Sequence, residues 1–128
     1  MNDPERILVV EDTDVDRRLA ERVLRKVWPD VAVLVARDGR HAIEVLEGCG
    51  EAMPDIILLD VNMPTMSGHD FLEAWYAGRG TDIPVVMMLT SSNQAIDRER
   101  ASRFTCVKGY IVKPITRATA ESLPDMAA

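Results

Sequence analysis

Short runs of Val, Ile and Leu recur along the chain, with little alternation between apolar and polar positions. Five such runs lie at Ile7–Val10, Val31–Ala36, Ile56–Leu59, Ile83–Leu89 and Tyr110–Val112. A strand with both faces buried is typically a continuous apolar run, as in a parallel sheet covered by helices. The pattern therefore predicts five strands in the interior of the molecule.

The segment between the first two runs has apolar residues at helical spacing. From Asp14 to Trp28, an apolar residue stands at every fourth position: Val15, Leu19, Val23 and Val27. Charged residues fill most positions between them, so the pattern predicts an amphipathic helix that buries this stripe. Thr13 or Asp14 would cap the start of the helix, and Pro29 marks its end.

Similar signals predict a helix after each remaining run. The second helix ends near Gly48, and the third begins near Ser67 and ends by Gly78. We expect one of Trp75 and Tyr76 to face the sheet and the other to be more exposed. The two histidines, His41 and His69, are expected at the surface.

The last two predicted helices carry few apolar residues. A highly charged helix is predicted over Asn93–Phe104, and it should be the least firmly packed of the five. A final helix would begin near Ile115 or Thr116, and Pro124 would limit it to about two turns.

The order of these elements is strand then helix, repeated five times. Such alternation implies a parallel sheet with right-handed crossovers, which is a doubly wound α/β domain. A chain of 128 residues is long enough for one domain of this kind. We therefore expect residues 1–128 to form a single domain without an output domain.

Composition and charge exclude several classes of protein. The net charge of -6 gives no basic face, so direct nucleic-acid binding is not expected. No apolar run approaches the ~18 residues that a membrane span needs, and the N-terminus lacks a signal-peptide pattern. Cys49 and Cys106 have no metal-ligand spacing and are expected to be reduced thiols. A soluble, cytoplasmic protein is expected.

The candidate chemistry lies where the predicted strands end. Strand one ends in Glu11 and Asp12, strand three in Asp60, strand four in Thr90 and strand five in Lys113. In an open parallel sheet, ligands bind outside the carboxyl ends of the strands. A single Asp after a strand is often only a turn or cap residue. The combination of acids, a hydroxyl and a lysine at one edge instead favours a functional site.

Three carboxylates in one pocket repel each other unless a cation neutralises them. A hard divalent cation such as Mg²⁺ takes oxygen ligands and accepts phosphate oxygens as well. An Asp carboxylate can attack phosphorus to form an aspartyl phosphate, and such transfer depends mainly on positioning and charge neutralisation. The pattern therefore predicts phosphoryl transfer to Asp60, with Lys113 and Thr90 binding phosphoryl oxygens.

These motifs resemble the response-regulator receiver family over almost the whole chain, from about Arg6 to Leu123. The matching stretches are Ile7–Asp12, Leu58–Pro64 followed by Gly68, Leu89–Ser92, and Gly109–Pro114. The resemblance implies a flavodoxin-like (βα)5 fold with strand order 2-1-3-4-5. It also implies a cis peptide bond between Lys113 and Pro114.

The resemblance implies a role for each matching site residue. Asp60 looks like the phosphoacceptor and also like a ligand of Mg²⁺, and Glu11 and Asp12 look like the acidic pair that serves the same ion. Asn62 would offer its backbone carbonyl to the same ion. Thr90 would bind a phosphoryl oxygen and Lys113 would pair with the phosphoryl group. Tyr110 matches the aromatic residue that turns inward when Thr90 moves toward the phosphoryl group.

The resemblance also implies the partners. The chain looks most like small single-domain receivers paired with phytochrome-type or other sensory histidine kinases. A sensor histidine kinase or phosphotransfer protein would supply the phosphoryl group, and a downstream protein would bind the phosphorylated form. The protein would be a phosphoacceptor rather than an enzyme, and a monomer or a weak homodimer.

Two alternatives stay open at this point. The first is a receiver-shaped interaction domain that works without phosphate. The second is an aspartyl-phosphate phosphatase of the haloacid dehalogenase type, which also places an Asp nucleophile after an apolar strand. Those enzymes need a second acid two residues after the nucleophile, and here that position is Asn62.

Overall fold

The computed structural model describes residues 2–81, 83–91 and 98–128, and within them the chain forms one five-stranded parallel sheet. The strands are β1 (Arg6–Val10), β2 (Ala32–Ala36), β3 (Ile56–Asp60), β4 (Val85–Thr90) and β5 (Val107–Val112). Their spatial order is β2-β1-β3-β4-β5. The predicted doubly wound fold and strand order 2-1-3-4-5 are therefore confirmed.

In the described part of the chain, five helices connect or follow these strands: α1 (Asp14–Val27), α2 (Gly39–Glu47), α3 (Gly68–Tyr76), α4 (Arg98–Ser102) and α5 (Arg117–Ala127). The predicted fourth helix, Asn93–Phe104, is matched only by α4, because its first part lies outside the described residues. Within the described ranges, none of these helices combines the length and apolar character that crossing a membrane requires.

The two faces of the sheet build two separate cores. Because side chains alternate along a strand, Leu8 and Val10 point to one face of β1, while Ile7 and Val9 point to the other. Helices α2 and α3 cover the first face, and α1 and α5 cover the second. Every residue of β3 and β4 is buried, which explains why their sequences show no polar alternation.

The face that α1 buries differs from the predicted stripe. Ala20 and Leu24 are buried, whereas Val15 is 63% and Leu19 is 42% exposed. Successive helical residues turn by about 100°, so a residue at every fourth position drifts by about 40° per step around the helix. The buried face follows the 3.6-residue period of the helix rather than a four-residue spacing. The N-terminal half of the predicted stripe therefore points away from the sheet.

The prediction that Pro124 stops the last helix was wrong. Helix α5 continues through Pro124 to Ala127, and Ala120, Leu123 and Ala127 are buried against the sheet. Proline removes one backbone hydrogen bond from a helix interior. Burial of apolar side chains on both sides of Pro124 offsets that loss, which the local pattern did not reveal.

Two predicted surface positions on α3 are also buried. His69 is only 6% exposed in the first turn, because that turn lies directly against the end of β3. Trp75 and Tyr76 are both buried. The Tyr76 hydroxyl can donate to the backbone carbonyl of Pro84 inside the core. A tyrosine with such a partner is buried at little cost. His41 is half-buried, and its Nδ1 accepts a hydrogen bond from the Arg37 backbone N–H.

Several predicted boundaries shift by a few residues. Strand β4 begins at Val85, and Ile83 is 66% exposed just before Pro84. Strand β5 begins at Val107 because its early residues pair with β4 despite the polar Lys108. Cys106 is buried and Cys49 half-buried, and both are reduced thiols as predicted.

The buried face of α1 gives a first test. Leu24→Ala should lower the free energy of unfolding by about 2–5 kcal/mol, because it leaves a cavity in a packed core. Leu19→Ala, the matched control on the same helix, should cost less than about 1 kcal/mol. Urea unfolding followed by circular dichroism measures both. Equal losses for the two variants would contradict the described orientation of α1.

Candidate functional site

The site is a cluster of three carboxylates at the carboxyl edge of the sheet. Glu11 and Asp12 directly follow β1, and Asp60 is the last residue of β3. One carboxylate oxygen from each lies within 4.8 Å of the other two. Glu11 and Asp60 are each only 1% exposed, whereas Asp12 is open to solvent. We call these three residues the acid cluster.

Lys113 lies against the acid cluster from the end of β5. Its Nζ is 3.2 Å from Glu11 Oε2 and 3.5 Å from Asp60 Oδ1. A third carboxylate, Asp16 Oδ2 on α1, is 3.7 Å away. The peptide bond between Lys113 and Pro114 is cis, as the resemblance implied. The structure therefore brings together the acids and the lysine that the sequence placed at separate strand ends.

The environment of Asp60 favours its neutral form. The pKa of Asp60 is raised from 3.8 to about 7, first by burial and then by the charge and hydrogen bonding of Glu11. The Lys113 ammonium and the Asn62 backbone N–H oppose this shift but do not cancel it. Asp60 therefore holds its proton more tightly than an isolated carboxyl in water would.

The pKa of Lys113 is raised although the side chain is partly buried. Burial lowers the pKa of this ammonium, but the carboxylates of Glu11, Asp60 and Asp16 together outweigh that effect. Its pKa therefore lies above the ordinary value of 10.5. Lys113 is a permanent positive charge beside Asp60 at physiological pH.

Arg17 holds the loop between β1 and α1, and the sequence analysis missed this role. Its Nη1 donates to the backbone carbonyl of Glu11 at 2.7 Å, and its Nη2 donates to Asp14 Oδ1 at 2.7 Å. The Arg17 side chain is only 14% exposed, whereas its partner Asp14 is 59% exposed, so the bond to the Glu11 carbonyl is the better shielded of the two. Charge-assisted bonds of this kind are stronger than neutral ones. An arginine one turn after an acidic pair was the available signal.

The loop after β3 is held closely against Asp60. The Asn62 backbone N–H donates to Asp60 Oδ1 at 3.2 Å, and the Gly68 N–H donates to the Val61 carbonyl at 2.9 Å. A Cβ atom at Gly68 would lie 2.7 Å from the Asp60 carbonyl oxygen. Glycine is thus required there by close backbone approach. The Asn62 side chain is exposed.

Thr90 and Tyr110 lie near the cluster on β4 and β5. Thr90 is 3% exposed, and its Oγ1 can donate to the Ser91 carbonyl at 3.1 Å. Its backbone carbonyl accepts from the Lys113 N–H at 2.7 Å, which ties the lysine to the end of β4. Tyr110 is half-buried on β5 and packs against the core beneath α2 and α3. Their predicted switching role stays a prediction.

The donor set of the acid cluster fits a hard divalent cation. All the available side-chain ligands are carboxylate oxygens, which such cations prefer over nitrogen or sulfur. Two of these carboxylates are buried, so a cation there would remove a repulsion that Lys113 alone leaves uncompensated. The exposure of Asp12 leaves one side open to water, and a magnesium-like ion usually keeps several waters.

Comparison with known proteins establishes the class to which this fold and site belong. The model of the response regulator receiver domain family matches residues 7–123. The chain belongs to this family. Receiver domains accept phosphoryl groups from histidine kinases on an aspartate, and as a family they are generally not enzymes.

Individual relatives agree with this assignment. The chain is 37% identical to the response regulator Rcp1 of Synechocystis over 117 residues, which cover 88% of this chain and 78% of that protein. It is 32% identical over 118 residues to a probable methanogenesis regulatory protein, FilR2, of Methanothrix harundinacea, covering 89% and 75% of the two chains. A solved structure of Rcp1 in its Mn²⁺-bound form matches with a TM-score of 0.73 and 28% identity, covering 96% of this chain and 91% of that one.

The raised pKa of Asp60 makes the stability of the metal-free protein depend on pH. The folded state holds this proton up to about pH 7, whereas the ordinary carboxyl releases it near 3.8. Between these values the folded state binds more protons, so stability falls as pH rises. Asp60→Asn should therefore stabilise the protein near pH 8 by a few kcal/mol and flatten the profile between about pH 4 and 7.

Urea unfolding in the presence of a chelator measures this profile. Glu44→Gln is the matched control, because it removes an exposed acid on α2 away from the acid cluster. We expect the control to keep the slope of the wild-type protein. An Asp60→Asn profile parallel to that of the wild type would contradict the described environment of Asp60.

Proposed function

We propose that the protein accepts a phosphoryl group on the Asp60 carboxylate from a partner histidine kinase or phosphotransfer protein, with Mg²⁺ at the acid cluster. The observation that carries this proposal is the arrangement of Asp60 itself. It is buried at a strand end, within 4.8 Å of two further acids and 3.5 Å from the Lys113 ammonium. Such a site is costly without a cation and a phosphoryl group, and suited to both.

Each residue has a defined task in this reaction. An oxygen of the deprotonated Asp60 forms the new bond to phosphorus, while the bond from phosphorus to the donor atom breaks and the donor leaves with that electron pair. Lys113 turns from the carboxylates to pair with the phosphoryl oxygens, and Thr90 Oγ1 hydrogen-bonds another. Glu11, Asp12 and the Asn62 backbone carbonyl would hold Mg²⁺. When bound, the ion neutralises negative charge on carboxylates and phosphoryl group alike.

The reaction needs Asp60 as a carboxylate. At neutral pH its raised pKa leaves a large protonated fraction in the metal-free protein. A cation at Glu11 and Asp12 favours the charged form of Asp60, because opposite charges nearby lower a carboxyl pKa. Metal binding therefore prepares the nucleophile as well as the phosphoryl pocket.

Incubation with acetyl phosphate and Mg²⁺, followed by intact mass measurement, tests the proposal. The wild-type protein should gain one phosphoryl group, and Asp60→Asn should gain none. Asp125→Asn, which changes an exposed acid on α5, is the matched control and should label like the wild type. Labelling of Asp60→Asn at the wild-type level would overturn the assignment of the phosphoacceptor.

We further propose that phosphorylation is passed on through Thr90 and Tyr110 to the partner-binding surface. Thr90 is buried at the end of β4. Tyr110 on β5 lies opposite Met88, which is two residues before Thr90 on β4. A movement of the Thr90 side chain toward the phosphoryl group would free space beneath the β5 side of the sheet. The half-buried Tyr110 ring is placed to respond.

The two tyrosines of the chain make this switch measurable. In protein labelled with fluorotyrosine, we expect the Tyr110 resonance to shift on phosphorylation. The Tyr76 resonance should stay, because that ring is buried and bonded to Pro84. Thr90→Ala should accept phosphate but lose the Tyr110 shift. A phosphorylated protein in which Tyr110 does not respond would count against the switch.

The alternative of an interaction domain that ignores phosphate differs in one outcome. If the protein is such a domain, Asp60→Asn should bind the partner as the wild type does. If phosphorylation is the switch, Asp60→Asn should lack the stronger partner binding that the phosphorylated wild type shows. The phosphatase alternative is disfavoured because Asn62 stands where those enzymes need an acid. The downstream partner and the monomeric or weakly dimeric state stay predictions of the sequence.

A further inference from the structure

Asp16 is a fourth carboxylate at the site that none of the roles above uses. Its Oδ2 is 3.7 Å from Lys113 Nζ, and Asp16 is not one of the three residues of the acid cluster. The Asp16 side chain is 39% exposed, and that of Lys113 is 20% exposed. Asp16 and Lys113 also line a cavity of about 20 Å³ between α1 and the end of β5. The contact is therefore partly exposed to solvent, on the side of Lys113 that faces α1.

The two arginines next to Asp16 in the sequence pair with another acid, and Asp16 contacts Lys113. Arg17 and Arg18 follow Asp16 directly, but both pair with Asp14, at 2.7 and 3.1 Å. Arg17 is held there by its second bond to the Glu11 carbonyl. Arg17 and Arg18 thus point toward the start of α1. The Asp16 carboxylate instead contacts Lys113, and both line the cavity.

We propose that Asp16 is a positioning residue that holds the Lys113 ammonium in the unphosphorylated protein and competes for it with the incoming phosphoryl group. This inference rests on the proposed function, in which Asp60 is the phosphoacceptor and Lys113 pairs with the phosphoryl oxygens. Asp16 touches neither Asp60 nor the phosphoryl group in this scheme, and it acts through Lys113.

The competition has a direct physical cause. Lys113 is shared among the carboxylates of Glu11, Asp60 and Asp16 in the resting protein. A cation at the acid cluster would satisfy Glu11 and Asp60, but it would leave Asp16 as the remaining anionic partner of the lysine. The Asp16 charge also repels an anionic donor that approaches Lys113. Both effects slow phosphorylation, and both are modest because the pair is partly exposed to solvent.

The rate of phosphorylation by acetyl phosphate under Mg²⁺ tests the proposal. Asp16→Asn should react about threefold faster than the wild type, the size expected for a partly exposed ion pair. The advantage should shrink at high salt, because added ions screen charges that lie near the surface. A role in folding alone would not produce this salt dependence. Asp16→Glu, which keeps the charge, should restore the slower rate.

Glu21→Gln is the matched control, since it removes one negative charge from the same helix where the acid pairs with Arg25. It should react at the wild-type rate. Asp16→Asn reacting no faster than wild type, or Glu21→Gln accelerating as much, would overturn the proposal while labelling of Asp60 remains intact. A wild-type protein that gains no phosphoryl group would instead overturn the proposed function, and this inference with it. Thermal melting of each variant verifies that it is folded.

Discussion

The interaction on which the site depends is the repulsion between two buried carboxylates at the end of adjacent strands. Glu11 and Asp60 are almost fully shielded from water, so neither charge is solvated, and the Glu11 carboxylate disfavours ionisation of Asp60. The Lys113 ammonium relieves this repulsion only in part. In the resting protein, the fold therefore leaves part of the repulsion between Glu11 and Asp60 uncompensated. Binding of a cation and modification of Asp60 are the events that resolve it.

The parallel sheet makes this crowding unavoidable. In the register of the central strands Val10 pairs with Leu59, so the residues that follow β1 and end β3 emerge side by side. Burial of the apolar strands fixes that register, because a shift of one residue would turn the core side chains outward. The stability of the core thus holds the carboxylates together against their repulsion. Arg17 and Gly68 then fix the two loops that carry them.

The sequence predicted the fold and site composition well because both follow from strand patterns. Each continuous apolar run ends in a polar residue, so Asp60 and Lys113 could be placed at one edge without coordinates. The failures concern packing between distant elements. Nothing local indicates that α5 continues through Pro124, or that His69 is buried, because helix and sheet contacts far along the chain determine both. Asp16 belongs to this second class, since its partner Lys113 lies at the other end of the chain.

A carboxyl-carbon NMR titration of Asp60 in the metal-free protein tests the central claim most directly. We expect a midpoint at about pH 7, caused by burial and by Glu11, and a much lower midpoint when Mg²⁺ is added. A midpoint near the ordinary value of 3.8 in the absence of metal would contradict it. The two carboxylates would then not be in conflict, and the site would have no intrinsic need for a cation.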